Sequence, residues 1–164
     1  MITRKGFVSN SSSSSFIIAF DEKPKDAKEV KKILFYNDKN TVRYYDYVAD
    51  TEDIAEQVFH DIKDQVPLNI FEVEEELSHG WIDGTPDYNY IQAEFGSDEW
   101  KKHWKKWEEA RKKFHRKKAK ELLDEFKGKK LFIVEYADED GSFGCVMEHG
   151  DIFENIPHFR ISKH

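Results

Sequence analysis

The segment from Ser97 to Gly128 constrains the fold of this chain more than any other. Large apolar residues recur in it at steps of three and four, beginning with Trp100 and Trp104. That spacing places them on one face of an α-helix. Serine is a common residue at helix starts, and glycine is common just past helix ends. The sequence therefore predicts one amphipathic helix over about residues 97–127, roughly 45 Å long.

This predicted helix is strongly basic in a chain whose net charge is −7. Residues 101–118 carry a net charge of +8, whereas residues 46–76 carry −10. The simplest interpretation is that the tryptophans enter the core while the lysines extend into water. Alternatively, the lysines bind an acidic protein surface, including the chain's own acidic region, or track a nucleic-acid backbone with indoles stacking on bases. A protein partner is favoured over nucleic acid because the whole chain is acidic. The candidate partner-binding residues are Lys101, Lys105, Lys112 and Lys117.

Length and composition favour a single domain over residues 1–164. The chain is 15% aromatic, which is typical of a folded core rather than of disorder. Cys145 is the only cysteine, so an internal disulfide and a multi-cysteine zinc site are both excluded. We expect no metal and no cofactor.

Neither a signal peptide nor a membrane-spanning stretch is recognised, so a cytoplasmic location is expected.

The remaining segments predict an α+β fold with a mainly antiparallel sheet covered by helices. Strands are expected at Phe16 to Phe20 and at Thr41 to Val48. Helices are expected at Asp26 to Phe35 and after Thr51, with Asp26 and Thr51 as their N-cap residues. Asn69 is expected to cap a shorter helix. Asp140-Gly141 lies between two apolar runs, Leu131 to Ala137 and Ser142 to Met147, and so predicts a β-hairpin. Phe159 to Ser162 is expected to form the last strand.

The serine run preceding Phe16 is the first candidate for a ligand site. Hydroxyls together with successive backbone N–H groups can bind phosphate oxygens. The run lacks the glycines and lysine of a P-loop. The alternatives are a polar arm or a turn with no ligand. The candidate ligand-binding residues here are Ser12, Ser13 and Ser14.

The C-terminal segment is the second candidate. Strand alternation places His158, Arg160, Ser162 and His164 on one face, and Glu148 and His149 are further candidates if the preceding segment lies alongside. Imidazoles flanking an arginine suit a phosphoryl group. The alternative is an exposed edge strand whose histidines contact water or another subunit.

The two termini together resemble known proteins. The segment from Arg4 to Phe16, containing Gly-Phe-Val-Ser-Asn before the serines, resembles the N-terminal signature of a group of bacteriophage and prophage proteins with no assigned activity. The ending, with Glu148-His149-Gly150 and Pro157 to His164, is similar to the C-terminal end of some of them. The resemblance implies a phage or prophage origin and action in the host cytoplasm.

The leading hypothesis is a non-enzymatic phage accessory protein, of the host-takeover or anti-defence type, that binds a host or phage macromolecule. The alternative is a small phosphate- or nucleotide-binding protein, or a phosphate-directed enzyme. It would use the serines and the C-terminal His/Arg cluster, and it requires these to be neighbours. Two further alternatives are a virion component and a homodimer formed through the long helix.

Overall fold

The computed structural model describes residues 12–36 and 39–163. His164 and the first eight residues of the N-terminal signature, residues 4–11, lie outside this range. The α+β prediction is confirmed: the chain forms antiparallel sheets and helices, and one helix is much longer than the rest. Contacts divide the chain into two compact units, residues 1–68 with 128–164, and residues 69–127. The expectation of a single domain stays a prediction.

The first unit is built on a three-stranded antiparallel sheet. Its strands are β1 (Ser13–Phe20), β4 (Lys130–Ala137) and β5 (His158–Ser162), in the order β4-β1-β5. The serine-bearing strand is therefore central, and Ser14 lies opposite Tyr136 on one side and Ser162 on the other. The predicted N-terminal strand thus begins within the serine run itself.

Helices cover the sheet face that carries Phe16, Ile18 and Phe20. They are α1 (Ala27–Phe35), α2 (Thr51–Ile62) and α5 (Gly141–His149). These apolar residues form one buried cluster with side chains from the three helices, for example Leu34, Val58 and Met147. Burial of this cluster provides the main driving force for folding of the unit.

Local sequence explains where the helices start. The Asp26 side chain accepts a hydrogen bond from the Glu29 backbone N–H at the start of α1, as predicted. Asp50, not Thr51, is the N-cap residue of α2; Thr51 is the first helical residue, and its hydroxyl donates to the Lys39 carbonyl across 2.8 Å. The prediction that Thr51 caps α2 was wrong, because its hydroxyl is committed to the preceding loop.

Two strand predictions were wrong in detail. Thr41 to Val48 is not one strand of the main sheet but a separate hairpin, β2 (Thr41–Tyr44) and β3 (Tyr47–Asp50), whose turn places Tyr45 at φ 49°. The predicted hairpin at 131–147 is also absent. Its first arm is β4, but Asp138–Asp140 forms a 3₁₀ turn and the second arm is α5. The apolar residues of that arm, Val146 and Met147, are buried in a helix, and a short apolar run does not distinguish a helix from a strand.

The second unit contains α3 (Ile70–Ser78), an irregular stretch over residues 79–97, and α4 (Asp98–Glu125). The predicted capping of α3 is confirmed, because the Asn69 side chain and the Glu72 side chain satisfy each other's backbone N–H groups. The helix α4 is continuous over 28 residues, and the Ser97 hydroxyl caps its start. The buried residues of the two helices are Val73 and Leu77 of α3 and His115, Ala119 and Leu122 of α4.

Candidate functional site

The serine run before Phe16, here called the serine motif, supplies the start of β1. Because side chains alternate along a strand, its hydroxyls are divided between the two faces of the sheet. Ser14 is fully buried on the helix-covered face. Ser13 and Ser15 point to the other face, where the Ser15 hydroxyl is buried and has no hydrogen-bond partner among residues 12–36 and 39–163. Ser12 precedes the strand and joins Ser14 in one polar cluster. Of the three predicted ligand-binding serines, the structure therefore brings Ser12 and Ser14 together and leaves Ser13 apart.

The centre of this cluster is the carboxylate of Glu148, near the end of α5. Its side chain has no solvent exposure. The Ser14 hydroxyl donates to its Oε1 across 2.9 Å, and the Ser12 hydroxyl lies 2.8 Å from its Oε2. A buried carboxylate is strongly destabilising unless it is hydrogen-bonded and paired with a positive charge. The serine hydroxyls supply the hydrogen bonds.

Arg160 on β5 supplies the positive charge. Its Nη2 lies 3.5 Å from Glu148 Oε1, and its Nε donates to the Ser14 hydroxyl across 3.0 Å. The same Nη2 lies 3.3 Å from Nδ1 of His149. The His149 ring is also stacked on Tyr44, with ring centroids 5.0 Å apart. Of the C-terminal candidates, Glu148, His149 and Arg160 thus converge on the serine motif. His158 instead lies against the Ile156 carbonyl, and His164 is outside the described residues.

Asp138, in the turn after β4, completes the cluster. Its Oδ2 lies 3.1 Å from the Ser12 hydroxyl oxygen. His149 Nε2 also lies 3.1 Å from that Ser12 oxygen. The Asp138 backbone N–H also donates to the Ser12 carbonyl across 3.2 Å. Asp138 was not a candidate in the sequence, because its role depends on a 3₁₀ turn where the sequence predicted a hairpin turn. No spacing in the sequence could have indicated it.

The direction of the hydrogen bonds determines what the cluster can do. A guanidinium group only donates, so Arg160 assigns the acceptor role to His149 Nδ1 and the proton of the neutral ring to Nε2. His149 then donates to Ser12. A nucleophilic serine requires the opposite arrangement, in which the imidazole accepts the hydroxyl proton. In this geometry Ser12 is therefore held as a hydrogen-bonding group and is not activated for attack.

The predicted phosphate site requires the serines and the last strand to be neighbours with room between them for a ligand. They are neighbours, because β1 and β5 are paired, but the room is small. The cavity beside Arg160 and His158 has a volume of only about 50 Å³, whereas ligand pockets usually span roughly 300–1,000 Å³. His158 lines this cavity, and its Nδ1 lies 2.9 Å from the Ile156 carbonyl. The serine and arginine donors are already bound to Glu148. The anion that they hold is the chain's own carboxylate.

The second candidate surface lies on α4 in the second unit. The four predicted lysines are exposed, and by helical spacing Lys101, Lys105 and Lys112 share one stripe while Lys117 lies on an adjacent one. Lys117 is 3.9 Å from Glu121. In the described part of the chain, no ion pair is formed by the other three.

The indoles of α4 lie on the opposite face from these lysines, but they are only half-buried. The expectation that they enter the core is therefore not met, because the buried residues of α4 are His115, Ala119 and Leu122. Trp100 and Trp104 stack with centroids 5.4 Å apart, and Trp107 Nε1 donates to the Pro86 carbonyl across 3.0 Å. Tyr88 packs on Trp104 and Trp107 from the irregular stretch. The tryptophans are therefore occupied within their own unit.

Part of the positive charge of α4 is neutralised within the second unit. Arg116 Nε lies 3.4 Å from a carboxylate oxygen of Glu74 on α3. The chain's own acidic region thus contributes one partner, as one of the alternatives expected. Among the described residues, the exposed lysines toward the start of the helix form no such ion pair.

No protein-family model matches this chain, and the comparisons with curated proteins and with solved structures give no match either. Across residues 12–36 and 39–163, no helix combines the length and apolarity needed to cross a bilayer.

Proposed function

We propose that this protein is a non-enzymatic accessory protein that binds an acidic protein surface through the exposed lysines of α4, here called the lysine face. The resemblance of its two termini to bacteriophage and prophage proteins favours a partner in the host cytoplasm, in a host-takeover or anti-defence role. The observation that carries the proposal is the basic face itself. It runs along an unbroken helix of 28 residues whose lysines, apart from Lys118, are exposed.

Charge complementarity argues for a protein partner of opposite sign. Two stripes of lysines extend the charge around the exposed side of the helix: one holds Lys101, Lys105 and Lys112, and the other Lys102, Lys106, Lys113 and Lys117. Such a surface steers an acidic partner during association and fixes its orientation. Bases would need free aromatic rings for stacking. The indoles are instead packed in their own unit, which favours protein over nucleic acid.

The test is affinity capture of the full-length chain from infected and uninfected host lysates, with mass spectrometry of the retained proteins. The variant carries Lys101→Glu, Lys105→Glu, Lys112→Glu and Lys117→Glu. The matched control reverses four exposed lysines of the first unit: Lys25, Lys28, Lys32 and Lys63. We expect acidic partners that elute with salt, are lost with the α4 variant and are kept by the control.

Three outcomes would contradict this proposal. Partners that are unchanged in the α4 variant would remove the helix from the binding surface. Loss of all partners after nuclease treatment would favour the nucleic-acid alternative. Co-sedimentation of the protein with purified particles, with no partner in lysate, would favour a virion component. Circular dichroism and thermal unfolding of both variants establish that they are folded.

A phosphate-directed protein remains the second candidate, because Ser12, Ser14 and Arg160 do converge. It requires the phosphate to displace the Glu148 carboxylate. Glu148→Gln removes the competing charge and leaves the serine and arginine donors in place. On this hypothesis, inorganic phosphate or a nucleotide should stabilise the Glu148→Gln variant more than the wild type against thermal unfolding. No stabilisation of either protein would exclude it.

A further inference from the structure

We infer that Asp138, Glu148 and His149, together with the Ser12 hydroxyl, form a binding site for one divalent transition-metal ion of the Zn²⁺ class. The three side chains each offer one ligand atom, and these atoms all lie within 4.8 Å of one another. They come from the turn after β4 and from the end of α5, and Ser12 enters from the start of β1. The site is independent of the lysine face.

The separations are close to those around a small tetrahedral ion. Ligand atoms at about 2.0–2.2 Å from Zn²⁺ are roughly 3.3–3.6 Å apart in a tetrahedral site. His149 Nε2 and Glu148 Oε2 are 3.4 Å apart. The Ser12 hydroxyl lies 2.8–3.1 Å from Asp138 Oδ2, Glu148 Oε2 and His149 Nε2. Small shifts would therefore bring the four atoms around one ion.

The hydrogen bonding around Ser12 leaves a place for a positive charge. Two carboxylate oxygens and one imidazole nitrogen surround a hydroxyl that has a single proton. If His149 donates to the Ser12 oxygen, the single Ser12 proton can be donated to Glu148 or to Asp138, but not to both. The carboxylate that does not receive it then faces a lone pair of the Ser12 oxygen. A cation between these groups removes the repulsion.

The ligand set indicates which class of ion binds. An imidazole nitrogen beside two carboxylates suits Zn²⁺ and neighbouring transition metals, whereas Mg²⁺ and Ca²⁺ prefer oxygen ligands alone. The set contains no thiolate. We therefore expect Zn²⁺ to bind and Mg²⁺ to compete poorly.

Arg160 opposes the metal. Binding through His149 Nε2 requires a proton on Nδ1, and that proton would face Arg160 Nη2, which is 3.3 Å away. The guanidinium must therefore withdraw when the ion binds, and its side chain, 40% exposed, has solvent to move into. A glutamine at this position offers an amide oxygen that accepts the Nδ1 proton, and it carries no positive charge. Arg160→Gln should therefore bind the metal more tightly than the wild type.

The experiment is calorimetric titration of Zn²⁺ into the chelator-treated full-length protein, with thermal unfolding as a second readout. We expect one saturable site and a Zn²⁺-dependent rise in melting temperature. His149→Asn and Asp138→Asn should each weaken binding by at least about tenfold, as expected for a lost ligand. The matched control is His60→Asn, because exposed His60 also lies beside a carboxylate, with Nδ1 3.6 Å from Asp61. Arg43→Gln, an exposed position on β2, controls for the charge change in Arg160→Gln.

The site would be refuted by the absence of saturable Zn²⁺ binding. It would also be refuted if His149→Asn bound as tightly as the wild type, or if His60→Asn lost the same affinity. If Asp138→Asn fails to fold, the comparison of His149→Asn with His60→Asn decides. Equal affinity of Arg160→Gln and the wild type would exclude the opposing role of Arg160.

Discussion

The hydroxyl of Ser14 donates to Oε1 of Glu148 across 2.9 Å, although the two residues are 134 positions apart in the chain. Neither side chain is accessible to solvent. The bond joins the central strand to α5, and Arg160 of β5 also donates to the Ser14 hydroxyl. The serine motif thus contributes to folding by stabilising a buried charge.

The three neighbouring serines should respond differently to the same substitution. Ser14→Ala should lower the free energy of unfolding by about 1.5–3 kcal/mol, because it removes a hydrogen bond to a buried charged group. Ser13→Ala should change stability by less than about 0.5 kcal/mol. Ser15→Ala should be neutral or stabilising, because the buried Ser15 hydroxyl has no partner. Chemical denaturation measures all three, and equal losses would contradict the alternation of the motif.

Gly144→Ala should destabilise the protein although alanine favours helices more than glycine does. A Cβ at this position would overlap the Ala137 carbonyl oxygen and would lie 2.8 Å from Cβ of Asp140. We expect a loss of about 1–3 kcal/mol in the free energy of unfolding, as for other overpacked sites. Ser142→Ala, exposed on the same helix, is the control and should be near neutral. A stabilised Gly144→Ala variant would contradict the packing of α5 against the end of β4.

His115 should make stability depend on pH. Burial lowers its pKa below the ordinary value of 6.5, and the nearby Arg111 lowers it further, whereas Glu74 opposes the shift. The unfolded chain therefore takes up a proton at a higher pH than the folded chain does. As a result, the free energy of unfolding decreases as the pH falls from about 6.5 toward the folded pKa.

Replacing His115 tests this linkage. His115→Leu should flatten that part of the pH profile and raise stability at acidic pH, because the buried Nε2 also has no hydrogen-bond partner in the part of the chain that the structure describes. Denaturant unfolding at about pH 5.5 and about pH 7.5 measures the change. The control is His60→Gln, at an exposed position, which should keep the wild-type slope. An unchanged slope in His115→Leu would contradict the effect of burial.

Elements with long or well-capped patterns could be predicted from the sequence. The helix α4 repeats its apolar spacing over many turns, and Asp26 and Asn69 carry side chains that cap the helices after them. The second arm of the predicted hairpin could not be predicted, because a few apolar residues fit either period. Its helical state depends on the close approach of Gly144 to Ala137, which no local pattern encodes.

The candidate site could be predicted in part. Ser12, Ser14, Glu148, His149 and Arg160 were all candidates, and the structure brings them into one cluster. Their relationship was not predictable, because the sequence alone cannot show that a carboxylate of the chain binds the donors expected to hold a phosphate. His158 lies at the edge of the cluster, and Ser13 points to the opposite face of the sheet.

The most direct test of binding through α4 separates the positive charge of the lysine face from its shape. One variant changes Lys101, Lys105, Lys112 and Lys117 to arginine, and the other changes the same four residues to glutamine. The measurement is the amount of each captured partner relative to wild type at constant salt. We predict that the arginine variant retains the partners and that the glutamine variant loses them. Retention by both variants, or loss from both, would contradict binding through the positive charge of α4.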